Sequence, residues 1–452
     1  MISPLQCKVF CISLAAIVAA ATDAPAAEPT PPVVDGIFNE WDREHIAAVD
    51  PAGDADAAFD ITRLWLRSSG TLAFVRFDTG RTLNLQSGEE TEGTLRFRFA
   101  CDRTDSEVVV DTRGRSVLLS RPEASHQNGT WHDTGYWSAP TYAAPEFEFR
   151  IDLSSIGAES GDLIRFTIEG SDTLDRPVEF RLGPPTASTQ TGSFTLPEPT
   201  ERQLRAVSLN TLRNGIVNPK RAPALFRLLK SANPDIILLQ EEYNTSAEEV
   251  EAAIEGALGG DWNIVKTRDT VIAFPLPLTK LTSFNDAYSA AVIHPEGQAP
   301  RLILCVHPKC CGYIGSDEDR RRIEETRAMI CTIQLARQRY GDELPVLLAG
   351  DWNLVGSRTP LDLLTNPTDA DLKHIEARNP VNGETYTWYE AGSDFGPGML
   401  DLVTVSANAA ASSCAAVLDS TTLNPESLGS LGLKPDDSRA SDHLMLVINF
   451  GT

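Results

Sequence analysis

The stretch that decides the fold is Leu347 to Asn353, which reads LLAGDWN. Its apolar run ends at Gly350, and an acid and an amide, Asp351 and Asn353, follow at once. Side chains two residues apart in an extended segment point the same way, so the pattern predicts a buried strand that delivers a carboxylate and a carboxamide to one edge of a sheet. Taken alone, the stretch is equally compatible with a strand that ends in an ordinary Asp-x-Asn turn.

Four further apolar runs in this part of the chain end or begin in polar side chains. These are Asn210 at the end of AVSLN, Glu241 after DIILLQ, His307 after LILCV, and Asp442 with His443 at the start of SDHLMLV. A single residue of this kind is usually a turn or cap residue, but the repetition at strand ends indicates a shared site. Carboxylate and amide oxygens suit a hard dication, and an imidazole beside a carboxylate transfers protons near neutral pH.

Strands and helices alternate from residue 204 onward. Strands are expected at 204–210, 235–240, 262–265, 270–274, 290–293, 302–306, 400–405, 415–418 and 444–450, in addition to the strand before Asp351; helices are expected at 222–230, 247–258 and 317–340. This order predicts an α+β domain at 202–450 in which two sheets pack between helices.

The segment from 33 to 196 has a different pattern. Short stretches such as TLRFRFACD and EFEFRIDLSS alternate apolar and polar residues and are separated by Gly, Asp and Ser, which predicts an all-β sandwich. Through VDGIFNEWD and EFEFRIDLSSIG this half resembles DOMON and family-9 carbohydrate-binding-module-like sandwiches. Four aromatic residues are either a stacking platform for a carbohydrate or part of the core: Trp131, Tyr136, Trp137 and Tyr142.

The first 27 residues read as a signal peptide, with Lys8, an apolar run at 9–21 and small residues up to Ala27. The run is too short to span a bilayer, so a secreted or periplasmic protein is expected; an uncleaved anchor is the alternative. Six cysteines follow the signal, and we expect at most one or two disulfides, with Cys310 or Cys311 bonded to Cys331 or to another cysteine.

The chain has a net charge of −24, and the part from Glu201 onward, with 23 basic and 33 acidic residues, contributes −10 of it. A basic surface for nucleic acid is therefore not visible in the sequence. The one dense group of basic residues, Arg320, Arg321, Arg322 and Arg327, is interleaved with acids, which favours a solvated helix face.

In combination, LQE, GDWN and SDH resemble the motifs of the endonuclease/exonuclease/phosphatase superfamily, over about residues 202–450. The resemblance implies a four-layered αββα sandwich with Mg²⁺ as cofactor and Mn²⁺ as an alternative. It implies that Glu241 is the principal metal ligand, with Asp442 and Asn210 close to the metal.

The same resemblance implies roles for the other polar residues. Asp351 and Asn353 would position the attacking water and the phosphate, and Asn210 would also contact substrate. His443, oriented by Asp401, would act as general base or charge stabiliser. His307 would bind the phosphoryl oxygens and stabilise their charge.

Three departures concern the substrate side of the site. Met399 stands where the family usually has Arg, the segment FPLPL at 274–278 replaces a Ser-Arg stretch, and Met445 replaces a common Pro. The predicted function is a secreted Mg²⁺-dependent phosphoesterase, with phosphodiesters favoured and lipid or small substrates preferred over nucleic acid on charge. A secreted nuclease acting on DNA or RNA is one alternative, and a non-catalytic binding protein on a hydrolase-like fold is another.

Overall fold

The computed structural model describes residues 31–55, 59–86, 93–122, 124–185 and 192–451. These residues belong to one unit, Pro31–Thr452. The predicted signal peptide at 1–27 lies outside the described residues. Within the described ranges, no helix has both the length and the apolar character that crossing a membrane requires.

The first half folds as two antiparallel sheets packed face to face. Its strands are β1 (Ile46–Val49), β2 (Arg63–Ser69), β3 (Leu72–Leu83), β4 (Leu95–Cys101), β5 (Ser106–Asp111), β6 (Ser116–Arg121), β7 (Ala124–Gly129), β8 (Trp137–Ala139), β9 (Ala144–Asp152), β10 (Leu163–Gly170) and β11 (Val178–Arg181). The sheet orders are β1-β2-β3-β9-β8 and β11-β10-β4-β5-β6-β7. Successive side chains of β4 point to opposite faces, so Phe97 and Phe99 are both buried between the sheets, where they pack on Phe149.

The second half contains two mixed sheets, of seven and six strands, and the α-helices. Its strands are β12 (Leu204–Asn210), β13 (Ile236–Gln240), β14 (Asn263–Thr267), β15 (Thr270–Phe274), β16 (Leu278–Lys280), β17 (Tyr288–Ile293), β18 (Arg301–Val306), β19 (Val346–Asp351), β20 (Leu372–Ile375), β21 (Ala377–Arg378), β22 (Asp401–Ser406), β23 (Cys414–Leu418) and β24 (Met445–Phe450). The helices are α1 (Ala222–Ala232), α2 (Ala247–Leu258), α3 (Asp317–Tyr340), α4 (Thr359–Thr365), α5 (Ala407–Ala410) and α6 (Pro425–Leu431).

Side chains from successive strand positions enter different layers. In β13, Ile236 and Leu238 face the other sheet, whereas Ile237 and Leu239 pack beneath α1 and α2. Helices α3 and α4 cover the outer face of the second sheet. Both faces of the central strands are therefore buried, which explains their continuous apolar sequences. The predicted α+β class, a four-layered αββα sandwich with an all-β region before it, is confirmed.

Strand β19 is central to the second sheet, whose order is β16-β17-β18-β19-β22-β20. It pairs in parallel with β18 and antiparallel with β22, so that Asp351 lies opposite Asp401. A Cβ on Gly350 would lie 2.1 Å from the carbonyl oxygen of Val306, and φ at this residue is 154°. Glycine is therefore required next to the catalytic candidate because only glycine permits this close approach.

The side chains settle one open alternative and contradict one expectation. Trp131, Tyr136 and Trp137 are buried, and Tyr142 is partly buried against the core, so these residues are packing residues and not an exposed platform for a carbohydrate. All six cysteines that follow residue 27 are free: Cys101, Cys305, Cys310, Cys311, Cys331 and Cys414. The expected bond from Cys310 or Cys311 to Cys331 is not formed.

Candidate active site

Asp351 is the centre of a polar cluster at the end of β19. Only 2% of the residue is exposed, and its Oδ2 accepts hydrogen bonds from Nδ2 of Asn210 (3.1 Å) and of Asn353 (3.2 Å). The Nε2 atoms of His307 and His443 lie 3.5 and 3.6 Å from the same oxygen. Burial raises the pKa of Asp351, and the two nearby imidazoles oppose this rise. One carboxylate therefore joins residues from four separate sequence motifs.

The Asp-x-Asn segment is both a turn and part of the site. Oδ1 of Asp351 accepts the backbone N–H of Asn353 at 2.9 Å, which is the hydrogen bond of an Asx turn. Asn353 has a positive φ of 48°, and its Nδ2 also donates to the carbonyl oxygen of Pro308 (3.3 Å). The turn thus fixes the amide of Asn353 against the loop that follows β18.

Asn210 and Glu241 end the neighbouring parallel strands β12 and β13. Nδ2 of Asn210 donates to Oε1 of Glu241 at 3.3 Å, and Oε2 accepts the backbone N–H of Arg213 at 2.9 Å. Oδ1 of Asn210 accepts the backbone N–H of Leu212 at 3.0 Å. The amide therefore turns its nitrogen towards Glu241 and Asp351, so that in this arrangement it orients carboxylates and does not present its oxygen to a metal.

His443 and Asp401 form a buried pair. Nδ1 of His443 lies 2.7 Å from Oδ2 of Asp401, and Thr387 Oγ1 accepts the backbone N–H of Asp401 at 2.8 Å. Burial lowers the pKa of His443, but the charges of Asp401 and Asp351 outweigh it and raise the pKa to about 10. The imidazole is therefore held as a cation at neutral pH.

His307 has its own carboxylate partner, Asp269, which sequence reasoning did not identify. Nδ1 of His307 lies 2.5 Å from Oδ2 of Asp269. Burial again lowers the pKa of His307, while the hydrogen bond with Asp269 and the charge of Asp351 raise it to about 9. Asp269 lies in the tight turn between β14 and β15, where an aspartate is ordinary, so its only sequence signal was a turn signal.

Asp442 is positioned by Trp388, a second residue that sequence reasoning missed. Trp388 Nε1 donates to Oδ2 of Asp442 at 3.1 Å, and the backbone of Trp388 pairs with that of His443. Tyr389 also donates its backbone N–H to the carbonyl oxygen of Asp442 (2.8 Å). The segment before β22 therefore fixes the orientation of the SDH motif.

Glu241 and Asp442 line the same cleft. Among the described residues, neither forms an ion pair with Lys or Arg, so their negative charge is not balanced by a basic side chain. Each of their carboxylate oxygens can accept a further contact, and hard cations prefer such oxygens. The residues present therefore fit a divalent cation at this edge of the sheets.

The cleft around these groups has a volume of about 600 Å³. Basic side chains on its lining are Arg115, Arg268, Lys309 and Arg321. Cys310 and Cys311 also line it, as expected for the loop after His307. The cleft thus combines carboxylates, two histidines and several cations, a composition that suits an anionic substrate and a metal ion.

The residues that depart from the family pattern do not form the cleft lining. Neither Met399 nor residues 274–278 belong to that lining, and Leu278 starts strand β16. The basic residues of α3 divide by exposure. Arg320 pairs with Asp317 on the helix surface, and exposed Arg321 pairs with the buried carboxylate of Glu325, whereas Arg322 is fully buried. The predicted solvated face is correct for the first two residues and wrong for Arg322.

Comparison with known proteins identifies the second half of the chain. The model of the Endonuclease/Exonuclease/phosphatase family matches residues 207–443, which is more than half of the 452 residues and contains the whole polar cluster. A search of curated proteins found no match. The family that the motifs resemble is therefore confirmed, whereas the resemblance of residues 33–196 to DOMON-like sandwiches stays a prediction.

Several solved structures are similar to the chain. A 3'-5' exonuclease from Neisseria meningitidis is 18% identical, covering 55% of this chain and 100% of its own, with a TM-score of 0.40. Truncated TDP2 from Caenorhabditis elegans is 16% identical, with 56% and 100% coverage and a TM-score of 0.39. The catalytic domain of human nocturnin is 17% identical, with 55% and 93% coverage and a TM-score of 0.37.

Proposed function

The chain belongs to the endonuclease/exonuclease/phosphatase family of hydrolases, and from this we propose that it is an exported, divalent-metal-dependent hydrolase that prefers phosphodiesters. Mg²⁺ is the proposed ion, with Mn²⁺ as the alternative. Export to the periplasm or the medium rests on the signal-like sequence at 1–27. Kinship of the first half with DOMON and family-9 sandwiches is part of the proposal and rests on its strand pattern.

The observation that carries the proposal is the position of Asp351 at the centre of the polar cluster. This carboxylate contacts the amides of Asn210 and Asn353 and lies beside the imidazoles of His307 and His443. A cluster that combines a buried carboxylate, amide donors and two cationic rings at the edge of a cleft can orient a water and neutralise a phosphate.

We assign Glu241 and Asp442 to the metal and Asn210 to the positioning of Glu241. A bound divalent cation would polarise the phosphoryl oxygens and lower the pKa of a nearby water. The donation from Asn210 Nδ2 to Glu241 Oε1 would keep that carboxylate in place. This assignment replaces the expected metal contact of the Asn210 oxygen with an orienting role.

The raised pKa values indicate different roles for the two histidines and for Asp351. Both imidazoles carry charge at neutral pH, because their pKa values are raised to about 9 in His307 and about 10 in His443. They are therefore assigned to stabilise charge on the phosphoryl oxygens. Burial raises the pKa of Asp351 and makes it a better proton acceptor than an exposed carboxylate.

The proposed reaction is a direct displacement at phosphorus. The water oxygen forms a bond to phosphorus while one of its protons passes to Asp351. The bond from phosphorus to the leaving oxygen breaks, and that oxygen takes a proton from solvent. Asn353 keeps its donation to Asp351 Oδ2 during this step and so orients the carboxylate that accepts the proton.

Nuclease activity is the second candidate. Net charge argues against a long nucleic acid, but the four basic side chains on the cleft lining provide local contacts that total charge does not show. A short single strand could use these contacts. Substrate size therefore separates the two candidates.

The test is a panel of phosphomonoesters, small phosphodiesters, lipids and DNA or RNA, assayed with Mg²⁺, with Mn²⁺ and with EDTA. Glu241→Gln keeps the size of the side chain but removes its charge, so we expect loss of most metal-stimulated turnover with an unchanged circular dichroism spectrum. Glu251→Gln, on the surface of α2 and outside the cleft lining, is the matched control. Full metal-stimulated activity in Glu241→Gln would overturn the assignment.

A further inference from the structure

One wall of the active-site cleft comes from the β-sandwich. The sandwich residues on the cleft lining are Asn84, Leu85, Gln86, Arg115, Ser138, Pro140 and Thr141. They face the polar cluster of the second half across the same space. A substrate that fills the cleft beyond the scissile phosphate would therefore contact the sandwich as well as the catalytic layers.

Direct hydrogen bonds hold this wall against the loops that carry the site. Thr141 Oγ1 donates to the carbonyl oxygens of Leu354 (3.0 Å) and Met399 (3.2 Å). Leu354 directly follows Asn353, and Met399 lies just before Asp401. The backbone N–H of Gly396 donates to Oε1 of Gln86 at 2.9 Å. These contacts join the wall directly to the backbone of the loops that carry the site.

Arg115 and Phe395 meet at this wall. The guanidinium of Arg115 lies over the ring of Phe395, 4.4 Å from its centroid, and Phe395 is 45% exposed. No ion pair is formed between Arg115 and any described acid. A cation stacked on an exposed aromatic ring provides a flat surface on which a second planar ring can stack.

We propose that Arg115 and Phe395 form a subsite for a planar aromatic group, such as a nucleobase, on a compact phosphodiester. The proposal rests on the proposed function, because it names the substrate class of the same cleft. A volume of about 600 Å³ is that of a small-molecule pocket. The sandwich wall then admits a nucleotide-sized ester or a single-stranded end and excludes duplex DNA.

Two substrates with one leaving group test the subsite. The 4-nitrophenyl ester of thymidine 5′-phosphate carries a base, and methyl 4-nitrophenyl phosphate does not. Stacking of one base on an aromatic side chain contributes a factor of about 5 to 150 in binding. We expect Phe395→Ala to lower kcat/KM on the thymidine ester by about that factor and to change the methyl ester less than about twofold. Phe284→Ala, also exposed but outside the cleft lining, is the control.

The outcomes separate this subsite from the proposed function. Turnover of the methyl ester that persists in Glu241→Gln would refute the proposed function, whatever Phe395→Ala does. Equal effects of Phe395→Ala on both esters would refute the subsite and leave the proposed function intact. Cleavage of duplex DNA at the same rate as a single strand of the same sequence would also refute the subsite. Arg115→Met should reproduce the selective loss, because it removes the cation but keeps the side-chain length.

A different observation concerns a group of acids in the sandwich. One carboxylate oxygen from each of Asp50, Asp54 and Asp172 lies within 4.8 Å of the others. Asp50 is only 6% exposed, and its Oδ2 is buried without a hydrogen-bond partner among the described residues. An unpaired buried carboxylate facing two others is costly unless a cation joins them.

We infer that these three carboxylates bind Ca²⁺, which takes oxygen ligands in flexible geometry. Asp172 also accepts the backbone N–H groups of Ile61 and Thr173, so the ion would tie the ends of several sandwich strands together. None of the three residues lines the catalytic cleft. The inferred role is therefore structural and separate from catalysis.

Calorimetric titration with Ca²⁺ in excess Mg²⁺ tests this site, with Glu241→Gln as the parent protein so that the catalytic position is impaired. We expect one Ca²⁺ to bind and to raise the Tm of the parent. Asp50→Asn should lose the binding, whereas Asp286→Asn, an exposed acid outside the group, should retain it. Absence of Ca²⁺ binding by the parent, or unchanged binding by Asp50→Asn, would overturn the inference.

Discussion

Two imidazoles share one carboxylate in the candidate site, and a second carboxylate on the far side of each ring decides its charge. His443 has Asp401 behind it and His307 has Asp269, while Asp351 lies between the two rings. Burial alone would favour neutral rings, so the cationic state depends on these partners. Removing one partner should change the charge of one ring more than that of the other.

Asp269→Asn tests this dependence through pH. The pKa of His307 is raised to about 9 in the folded protein, above the ordinary 6.5, so its contribution to stability is fully present below pH 6.5 and is lost as pH rises through 9. We expect the difference in Tm between wild type and Asp269→Asn to be largest near pH 6 and to shrink towards pH 9. Histidine NMR titration should show a lower pKa for His307 in the variant; an unchanged titration would contradict the role of Asp269.

His443 and Asp401 should contribute unequally to turnover. Removal of a group that stabilises charge or transfers a proton in the transition state typically lowers the rate by about 10²- to 10⁴-fold, so we expect a loss of this order for His443→Ala. Asp401→Asn should lower kcat less, because Asp401 acts through the imidazole. The measurement is kcat on one phosphodiester with both variants, and a much larger loss in Asp401→Asn would show that its role is not orientation.

Most individual site residues could be predicted because each one ends or begins an apolar run. Asn210, Glu241, His307, Asp351 and Asp442 were predicted in this way. In the structure the last four line one cleft, and Asn210 is buried beside it with hydrogen bonds to Glu241 and Asp351. Asp269 and Trp388 could not be found, since each lies in a segment with ordinary turn or loop composition. Their roles come from contacts with residues 38 and 54 positions away in sequence, which local patterns do not encode.

At the scale of elements, the N-terminus of α3 holds the loops on two sides of the cleft. Buried Arg322 donates hydrogen bonds to the carbonyl oxygens of Lys309 and Cys311 in the cleft loop. Asp319, one turn earlier, accepts the backbone N–H of Ser357 at 2.8 Å and lies 3.7 Å from the guanidinium of Arg322. Helix α3, whose basic residues were predicted to form a solvated face, thus contains a buried ion pair near its N-terminus.

Arg322→Met should therefore be far more damaging than Arg320→Met on the same helix. Breaking a buried pair leaves Asp319 without its cation, which typically costs about 3–5 kcal/mol, whereas a surface substitution changes stability by about 0.5 kcal/mol or less. Urea unfolding of both variants measures the difference. Similar midpoints for the two variants would contradict the buried pair, and KM for a small phosphodiester should rise only in Arg322→Met.

Long, strongly patterned elements were predictable, and short edge strands were not. Helix α3 spans Asp317–Tyr340 and α2 spans Ala247–Leu258, as expected from their sequences. Strands β16, β20 and β21 were missed because they contain two to four residues at or near sheet edges. Such strands form through backbone pairing with a neighbour that is already in place, and their own sequences show little alternation.

At the scale of the whole molecule, residues of the sandwich line the same cleft as the polar cluster of the second half. Two ion pairs also join the halves, in addition to the contacts at the cleft wall. Arg378 of the second half pairs with Asp35 of the first, and Glu384 of the second half pairs with Arg150 of the sandwich. The sequence predicted two folds with different patterns but gave no sign that they share a surface. Contacts between them include the rings of Trp137 and Tyr386, whose centroids are 5.8 Å apart, and no local pattern in either half indicates this pairing.

Salt dependence tests this whole-molecule arrangement. The chain carries a net charge of −24, and the basic side chains on the cleft lining are Arg115, Arg268, Lys309 and Arg321, the last of which is paired with Glu325. Four phosphate contacts on a single strand give a slope of about −3 in a plot of log affinity against log salt. We expect single-stranded DNA to show a slope no steeper than this and a compact phosphodiester to show almost no salt dependence. The measurement is kcat/KM for each substrate at salt concentrations from about 50 to about 200 mM. A much steeper slope, with a preference for duplex DNA, would require a basic surface outside the cleft and would identify the protein as a nuclease of long polymers.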